Sequence, residues 1–331
     1  MSSSTPFINA IVVDQSSADR LSIHPFPLTL PAPGEVTIRV TAISLNRGET
    51  RRALTSTPTG TRPGWDFAGY LVDTNHVAQA PAVGTRVVGL IPLGAWAEVV
   101  HVPLHSLAVI PVGVTDAQAA SLPMAGLTAL HALRKGGMLL GRKVLVNGAT
   151  GGVGQLAIQL AAAAGARVYA HIRQESQRPL VEAASTGGVI VGPTLAAARE
   201  AGPFDLIIDS VGGSALAAAV TMLKRRGTCV SFGASEGEPA IFDSWAFFQA
   251  PGASVQNLII FDDLAATEPA AEGLGILLHL MEQGKLRSHI GLEAPWTEVA
   301  TVAQQLLQRG FTGKAVLHLP AKSPSEVAFG Q

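Results

Sequence analysis

GRKVLVNGATGGVGQLAIQLAAAAGARVYAHIR, residues 141–173, decides the fold, because it holds a strand, a glycine turn, a helix and a second strand in one run of chain. Val144, Leu145 and Val146 are a short apolar run suited to a strand buried on both faces. It ends at Asn147-Gly148-Ala149-Thr150-Gly151-Gly152-Val153-Gly154. From Gln155 to Ala164, Leu156, Ala157, Ile158, Leu160 and a run of alanines favour a helix that is apolar almost all round, and Gly165 supplies its stop. Val168 to Ile172 is the second strand. Glycines let a backbone turn sharply and approach a pyrophosphate, whose charge is received by free N–H groups at the helix N-terminus. A glycine cluster by itself is a weak signal; one placed between strand and helix, in a unit of about thirty residues, meets the requirement of a dinucleotide motif. Residues 148–154 are the expected phosphate turn, and a tight structural turn is the alternative.

The end of the second strand selects the dinucleotide. NAD sites place an acid about 20 residues after the glycines to bond the ribose 2′-hydroxyl, whereas NADP sites use or tolerate arginine there. Here the strand runs into Arg173, with Ser176 and Arg178 close behind and Glu175 as the nearby acid. A guanidinium offers a planar, permanently charged fork for a 2′-phosphate. NADPH is the expected cofactor; the alternative is that Arg173 and Arg178 are solvated loop charges.

Composition agrees with a globular enzyme. A chain of 331 residues exceeds the usual single core, and 47% apolar residues provide material for two. The net charge of −1, with 23 scattered basic residues, argues against nucleic acid or an acidic membrane as partner. A single cysteine, Cys229, allows neither an internal disulfide nor a cysteine-rich metal site and reads as a buried strand residue. Met1 to Val13 carries no lysine or arginine, and no segment reaches the roughly 18 unbroken apolar residues of a membrane span. A cytoplasmic location is expected.

Organisation changes near Pro111 to Ala120. Before it lie strand-like segments broken by Pro and Gly, namely Glu35 to Ile43, Gly69 to Asp73, Thr85 to Leu90 and Trp96 to Val102. After it strands and helices alternate. Gly188 to Val191, Phe204 to Asp209, Thr228 to Phe232 and Ser254 to Phe261 follow as strands, with helices at Leu195 to Glu200 and Ser214 to Lys224. That alternation specifies a parallel sheet, and with the first two strands the count reaches six. A helix from Asp262 to Gln283, another from Thr297 to Arg309 and a strand from Ala315 to Leu319 are expected to rejoin the first domain. The fold class is α/β: a six-stranded parallel Rossmann cofactor domain, residues 119–262, inserted in a β-rich domain of residues 1–118 and 263–331. The tail from Ala321 to Gln331 is expected to fray.

From end to end the chain resembles the medium-chain dehydrogenase/reductases, and within them the zinc-independent quinone oxidoreductase and enoyl reductase branch. Ser44-Leu45-Asn46 resembles the family's active-site turn, and Arg62-Pro63-Gly64-Trp65-Asp66-Phe67-Ala68-Gly69 its Pro-Gly-x-Asp-x-Ala-Gly segment. Leu122-Pro123-Met124-Ala125-Gly126-Leu127-Thr128-Ala129 resembles the helix entering the cofactor domain, and Gly313-Lys314-Ala315-Val316-Leu317 the closing strand. The resemblance implies a GroES-like catalytic domain around the cofactor domain, NADPH as hydride donor and a homodimer. It also implies that Asn46 and Thr128 contact the nicotinamide or ribose, that Phe232-Gly233-Ala234 line the cofactor crevice, and that Lys314 serves the cofactor or the active-site rim. The alternatives are a helix hydroxyl for Thr128 and a solvated strand lysine for Lys314.

Zinc needs cysteine, histidine or carboxylate ligands converging on one point. At the position of the zinc branch's first cysteine this chain has Asn46, and for Gly-His-Glu it has Gly64-Trp65-Asp66. The structural zinc lobe is missing, and the nine histidines are dispersed. No metal is expected. Without one, hydride is best delivered to a centre that is already electrophilic, a quinone or an enone or enal, with donors stabilising the developing anion. The family's tyrosine, five residues after the asparagine, is replaced by Arg51. Arg51 or Arg52 could hold an anion, or be solvated; Asp66 reads as a buried structural carboxylate, with a minor active-site acid as the alternative. A short-chain dehydrogenase is excluded, because the fourth residues after Tyr70 and Tyr169 are Thr74 and Arg173 rather than lysine. A biosynthetic enoyl-thioester reductase and a non-catalytic NADPH-binding sensor stay open as alternatives.

Overall fold

The structure, a computed structural model, describes residues 7–320; the tail expected to fray lies outside them. The chain forms two compact units, the first from residues up to Met124, 268–284 and Ser288 onward, the second from residues 125–267 with 285–287.

The first unit opens with β1 (Phe7–Val13) and β2 (Leu21–Pro27), an antiparallel pair the sequence pattern did not disclose. There follow β3 (Glu35–Leu45), α1 (Arg47–Thr55), β4 (Asp66–Asp73), β5 (Arg86–Leu90), β6 (Val99–Pro103), β7 (Leu107–Val109) and the short α2 (Asp116–Ala120). The second unit contributes α3 (Pro123–Arg134), β8 (Lys143–Asn147), α4 (Gly152–Ala163), β9 (Arg167–Ile172), β10 (Gly188–Val191), β11 (Phe204–Asp209), α5 (Gly213–Val220), β12 (Leu223–Ser231), α6 (Ser244–Phe248), β13 (Ser254–Asn257) and α7 (Ile260–Ala266). The chain then returns to the first unit with α8 (Ala270–Glu282), β14 (Ile290–Pro295), α9 (Val299–Gln308) and β15 (Lys314–His318).

In the first unit the sheet runs β14-β15-β3-β4-β5-β7, with β6 on the remaining stretch of β3. Ile38, Ile43, Phe67, Val87 and Val100 are buried in its core beside Trp96 and Trp296. Register here places function. β3 pairs with β4 so that Ser44 faces Asp66, and with β15 so that Leu45 faces Ala315. Asn46, Asp66 and Lys314 are thereby brought to one end of three adjacent strands.

The second unit is a six-stranded parallel sheet in the order β10-β9-β8-β11-β12-β13. Strand order reverses at β8, with β9 on one side and β11 on the other. Such a switch point opens a crevice at the carboxyl ends of the strands, the place where doubly wound sheets bind ligands. Leu145, Ile207 and Cys229 are buried on one face of the sheet, and Tyr169 meets Phe204 edge to face at 5.5 Å between ring centroids.

Four local expectations are corrected. Residues 195–201 form a 3₁₀ turn rather than an α-helix. The helix expected to reach Lys224 stops at Val220, because Leu223 already pairs with Phe204 as a strand. The strand expected to reach Phe261 ends at Asn257, and the helix expected from Asp262 to Gln283 is two helices, α7 and α8. Pro269 precedes α8 and has no N–H to continue a helix through that point.

Candidate active site

At the switch point β8 ends in Asn147 and the chain turns through Gly148, whose φ of +75° is a conformation that glycine adopts without cost. A Cβ on Gly154 would stand 2.7 Å from Ala149 Cα and collide with the Gly148 carbonyl, so the turn closes on its own backbone. Gly151, the N-cap of α4, provides no side-chain cap. The first-turn N–H groups of that helix are left for a ligand. A Cβ on Gly151 would meet only the Gly148 oxygen, at 3.3 Å, so the approach is open. An open cradle with unsatisfied donors at a helix N-terminus fits a pyrophosphate.

Neighbouring turns close around it. Phe232 N donates to the Asp209 carbonyl at 3.0 Å. A Cβ on Gly233 would lie 3.2 Å from the Ser210 carbonyl carbon, and one on Gly148 would crowd the Ser210 side chain. Residues 148–154 and 232–234 are therefore brought together around Ser210, at the carboxyl ends of β8, β11 and β12. Beyond β9, Arg173 and Ser176 are exposed. Arg178 is engaged by Glu175 in an ion pair. Of the two arginines, Arg173 forms no ion pair among the described residues.

The first unit holds a buried polar cluster. Asp66 is fully buried; its Oδ2 accepts from Ser44 Oγ at 2.8 Å, Asn46 Nδ2 at 2.8 Å and Lys314 Nζ at 3.3 Å, and its Oδ1 from Met124 N at 2.9 Å. Lys314, which can only donate, also gives hydrogen bonds to Asn46 Oδ1 at 2.5 Å and to the Leu45 carbonyl at 3.3 Å. Glu49, on the first turn of α1, accepts through Oε1 from Asn46 N and Asn46 Nδ2, both at 2.9 Å. Its buried Oε2 has no hydrogen-bond partner. Burial, and then the neighbouring Asp66, hold the Glu49 carboxyl well above the usual carboxylate range. A proton kept on Glu49 spares the cluster a second buried carboxylate beside Asp66.

Both donors of the Asn46 amide are spent on Glu49 and Asp66. Its oxygen, with two lone pairs, serves Lys314 and can accept once more. Lys314 is 4% exposed, so the alternative of a solvated strand lysine is overturned: pairing of β15 with β3 buries it. Asp66 lies at the centre of the cluster; Glu49 is a member the sequence reading missed, and Ser44 was marked only as part of the turn. The Asn-x-x-Glu spacing that lets a helix-start glutamate reach back to the residue before the helix was the available signal. Arg51 is exposed on α1 and is not a partner of this cluster; Arg52 lies over the Trp65 ring, 5.0 Å from its centroid. Thr128 is buried on α3, in the second unit. Among the described residues no group of three or more His, Cys, Asp or Glu side chains is arranged to hold a metal ion, and no helix is long and apolar enough to cross a membrane.

Residues 32–112 match the alcohol dehydrogenase GroES-like domain, and residues 152–270 the domain described as zinc-binding dehydrogenase. The chain is 32% identical over 324 residues to a mycocerosic acid synthase-like polyketide synthase of Mycobacterium tuberculosis, covering 93% of this chain and 15% of that one. It thus spans about 15% of the length of that relative. A mycobacterial quinone oxidoreductase superposes with a TM-score of 0.82 at 26% identity, over 94% of this chain and 99% of the other. The CurK enoyl reductase shares the fold, with a TM-score of 0.80 at 23% identity over 96% of this chain and 100% of the other. The two domains, in this order and around this sheet, define a nicotinamide-dependent oxidoreductase architecture. The chain belongs to the medium-chain dehydrogenase/reductase superfamily.

Proposed function

We propose that the protein is a zinc-independent, NADPH-dependent reductase that delivers hydride to an activated carbon–carbon double bond or a quinone. The observation that carries this reading is the Asn46 cluster: where the family's zinc branch places a cysteine ligand, this chain has an amide locked between Lys314, Asp66 and Glu49. With Lys314 only donating, both Asp66 oxygens already accepting hydrogen bonds and the Glu49 carboxyl held above its usual range, the cluster is not a ligand set that would lower an alcohol's pKa. The division of labour, dinucleotide on the second unit and reaction beside Asn46 on the first, is part of the proposal, as is assembly as a homodimer.

When bound, reduced nicotinamide supplies the hydride. The chain's own residues do the rest. The N-terminus of α4 and the turn 148–154 hold the pyrophosphate, with Phe232, Gly233 and Ala234 along the crevice. Arg173 pairs with the 2′-phosphate; Ser176 adds a hydroxyl, and Arg178, tied to Glu175, acts less directly. Asn46 offers its remaining lone pair to a hydroxyl or amide donor of the cofactor, Lys314 fixes that orientation, and Thr128 supplies a hydroxyl from α3. Arg51, exposed on α1, is a site for an anionic part of the substrate rather than for proton transfer, since a guanidinium gives up its proton too reluctantly.

Among acceptors, an enoyl thioester has specific support, because the 32% identical relative is a polyketide synthase. A panel of enoyl thioesters, enones, quinones and secondary alcohols, run with 4-deuterated NADPH and exhaustive chelator, tests the reading. Deuterium should appear at the β-carbon of a reduced enoyl compound, or quinol should form, with chelator without effect. Zinc-restored oxidation of secondary alcohols, with no reduction of any alkene or quinone, would refute it.

A further inference from the structure

Asn147, His171 and Asp209 occupy one row across the second unit's sheet, at the carboxyl ends of β8, β9 and β11, with Asn147 in register with both others. They are 3%, 5% and 0% exposed, so their polar atoms must satisfy one another. One terminal atom of the Asn147 amide lies 2.9 Å from His171 Nδ1 and the other 2.6 Å from Asp209 Oδ1. His171 Nε2 is 3.1 Å from the Gly192 carbonyl. Asp209 also accepts from Gly212 N at 2.8 Å and Val211 N at 3.2 Å.

A carbonyl only accepts, so the Gly192 contact puts a hydrogen on Nε2. In a neutral ring Nδ1 is then bare, and the amide must turn its NH₂ toward it. The amide oxygen in that orientation faces Asp209 Oδ1, two acceptors at 2.6 Å unless the carboxyl carries a proton. Turned the other way, the amide oxygen faces Nδ1, and the ring must hold both hydrogens as a buried cation. Every arrangement free of a lone-pair clash therefore keeps one proton more than a neutral histidine and a carboxylate would hold.

Within that donor and acceptor arrangement, burial and the facing charges place the proton on the carboxyl. Burial pushes Asp209 up and His171 down, each toward its neutral form. The charges facing the row act in the same sense: Arg173, beyond β9, disfavours a charged His171, and Glu236, beyond β12, disfavours a charged Asp209. The other ionisable group facing the row from β12 is Cys229, whose thiol burial and Asp209 raise. Lys143, on β8, sits at the far end of the strand in register with Arg167.

We propose that Asp209 is a positioning residue that keeps its proton in the folded protein and donates it to the Asn147 side chain, so that His171, Asn147 and Asp209 together lock the turn that starts at Gly148. Asn147 leads directly into that turn, while Asp209 holds the backbone of the adjacent turn at Val211 and Gly212. The proton ties both sides of the crevice. Its consequence for nucleotide binding rests on the function proposed above; its presence does not. When Asp209 ionises, the amide meets an acceptor on each side and one bond at the base of the turn is lost.

The experiment has two arms. In the free protein at neutral pH, the infrared difference between wild type and Asp209→Asn should contain a carboxylic acid C=O band, and ¹⁵N resonances of wild-type His171 should show a neutral ring with hydrogen on Nε2. A carboxylate band, or an imidazolium at His171, would overturn the proposal. In the second arm, wild-type affinity for NADPH should fall about tenfold as pH rises through the loss of that band, the scale of one hydrogen bond. Asp209→Asn keeps a donor in place and should show no such fall; an identical pH slope in that variant would overturn the positioning role. Absence of nucleotide binding at every pH would instead sink the proposed function, and the first arm would still decide the proton.

Discussion

Lys314 shows how a single residue changes meaning between sequence and structure. Along the chain it is a lysine at the start of a short strand, and nothing in its neighbours marks it as buried. Pairing of β15 with β3 sets it against Asn46 and Asp66, where three donors find three oxygens. Removing one member of such a set leaves an uncompensated buried group, at a cost of about 3–5 kcal/mol when that group is charged. Glu49 carries the testable pH dependence of this cluster. Its carboxyl is held above the usual value, so between that value and the raised one the folded chain keeps a proton the unfolded chain has lost. Stability must fall as pH rises through this window, and the Glu49 contribution is fully present only below it. Glu49→Gln, neutral at every pH, should remove this part of the slope and overtake the wild type under alkaline conditions. Denaturant midpoints measured across the window decide it: parallel curves for the two proteins would mean that Glu49 is ionised in the fold.

At the scale of the element, what was legible was what local chemistry settles. β8, the glycine turn, α4 and β9 could be read because glycine spacing, an apolar strand and an alanine-rich helix each favour the same local structure. The 3₁₀ turn at 195–201 and the early end of α5 were not legible, since alanine-rich runs favour a helix and only pairing of Leu223 with Phe204 overrides them. The N-terminal pair β1 and β2 escaped for a similar reason: its second strand, Leu-Ser-Ile-His-Pro-Phe-Pro, carries two prolines and poor alternation, and pairing with β1 makes it a strand. The turn itself supports a contrast between two glycines. A methyl group on Gly154 has nowhere to go, being 2.7 Å from Ala149 Cα, whereas on Gly151 it meets one atom, at 3.3 Å, on the open side. Gly154→Ala should therefore lower stability by about 1–3 kcal/mol, the cost of overpacking, and abolish nucleotide binding with it. Gly151→Ala should fold with near-native stability and lose affinity alone, because its methyl intrudes on the phosphate approach. Equal losses of stability in the two variants would show that the open face of the turn is not a ligand site.

For the whole molecule, the count of six strands in the parallel sheet led to the expectation that every later element joins the first unit; β14 and β15 lie in its sheet and α8 and α9 belong to it, whereas α7, expected there as the start of one helix from Asp262, belongs to the second unit. The candidate site was legible only in part, because a sequence motif marks Asn46 and the glycines but not the cross-strand neighbours that fix their chemistry, His171 and Asp209 among them. Cofactor choice is a property that whole-chain stability can report. A ligand that binds only the folded chain stabilises it by RT ln(1 + [L]/Kd), about 2.7 kcal/mol at a hundredfold excess over Kd. A charged hydrogen bond from Arg173 to a 2′-phosphate is worth about 1.5–3 kcal/mol, or roughly ten- to a hundredfold in Kd. At equal concentration NADPH should then raise the melting temperature clearly more than NADH, and Arg173→Ala should bring the NADPH shift down to the NADH value while leaving the unliganded melting temperature unchanged, since the side chain is exposed. Arg178→Ala, which removes a guanidinium already tied to Glu175, should have the smaller effect. Equal shifts by the two nucleotides in the wild type would remove the case for NADPH, and a preference that survives Arg173→Ala but not Arg178→Ala would move the phosphate contact from Arg173 to Arg178.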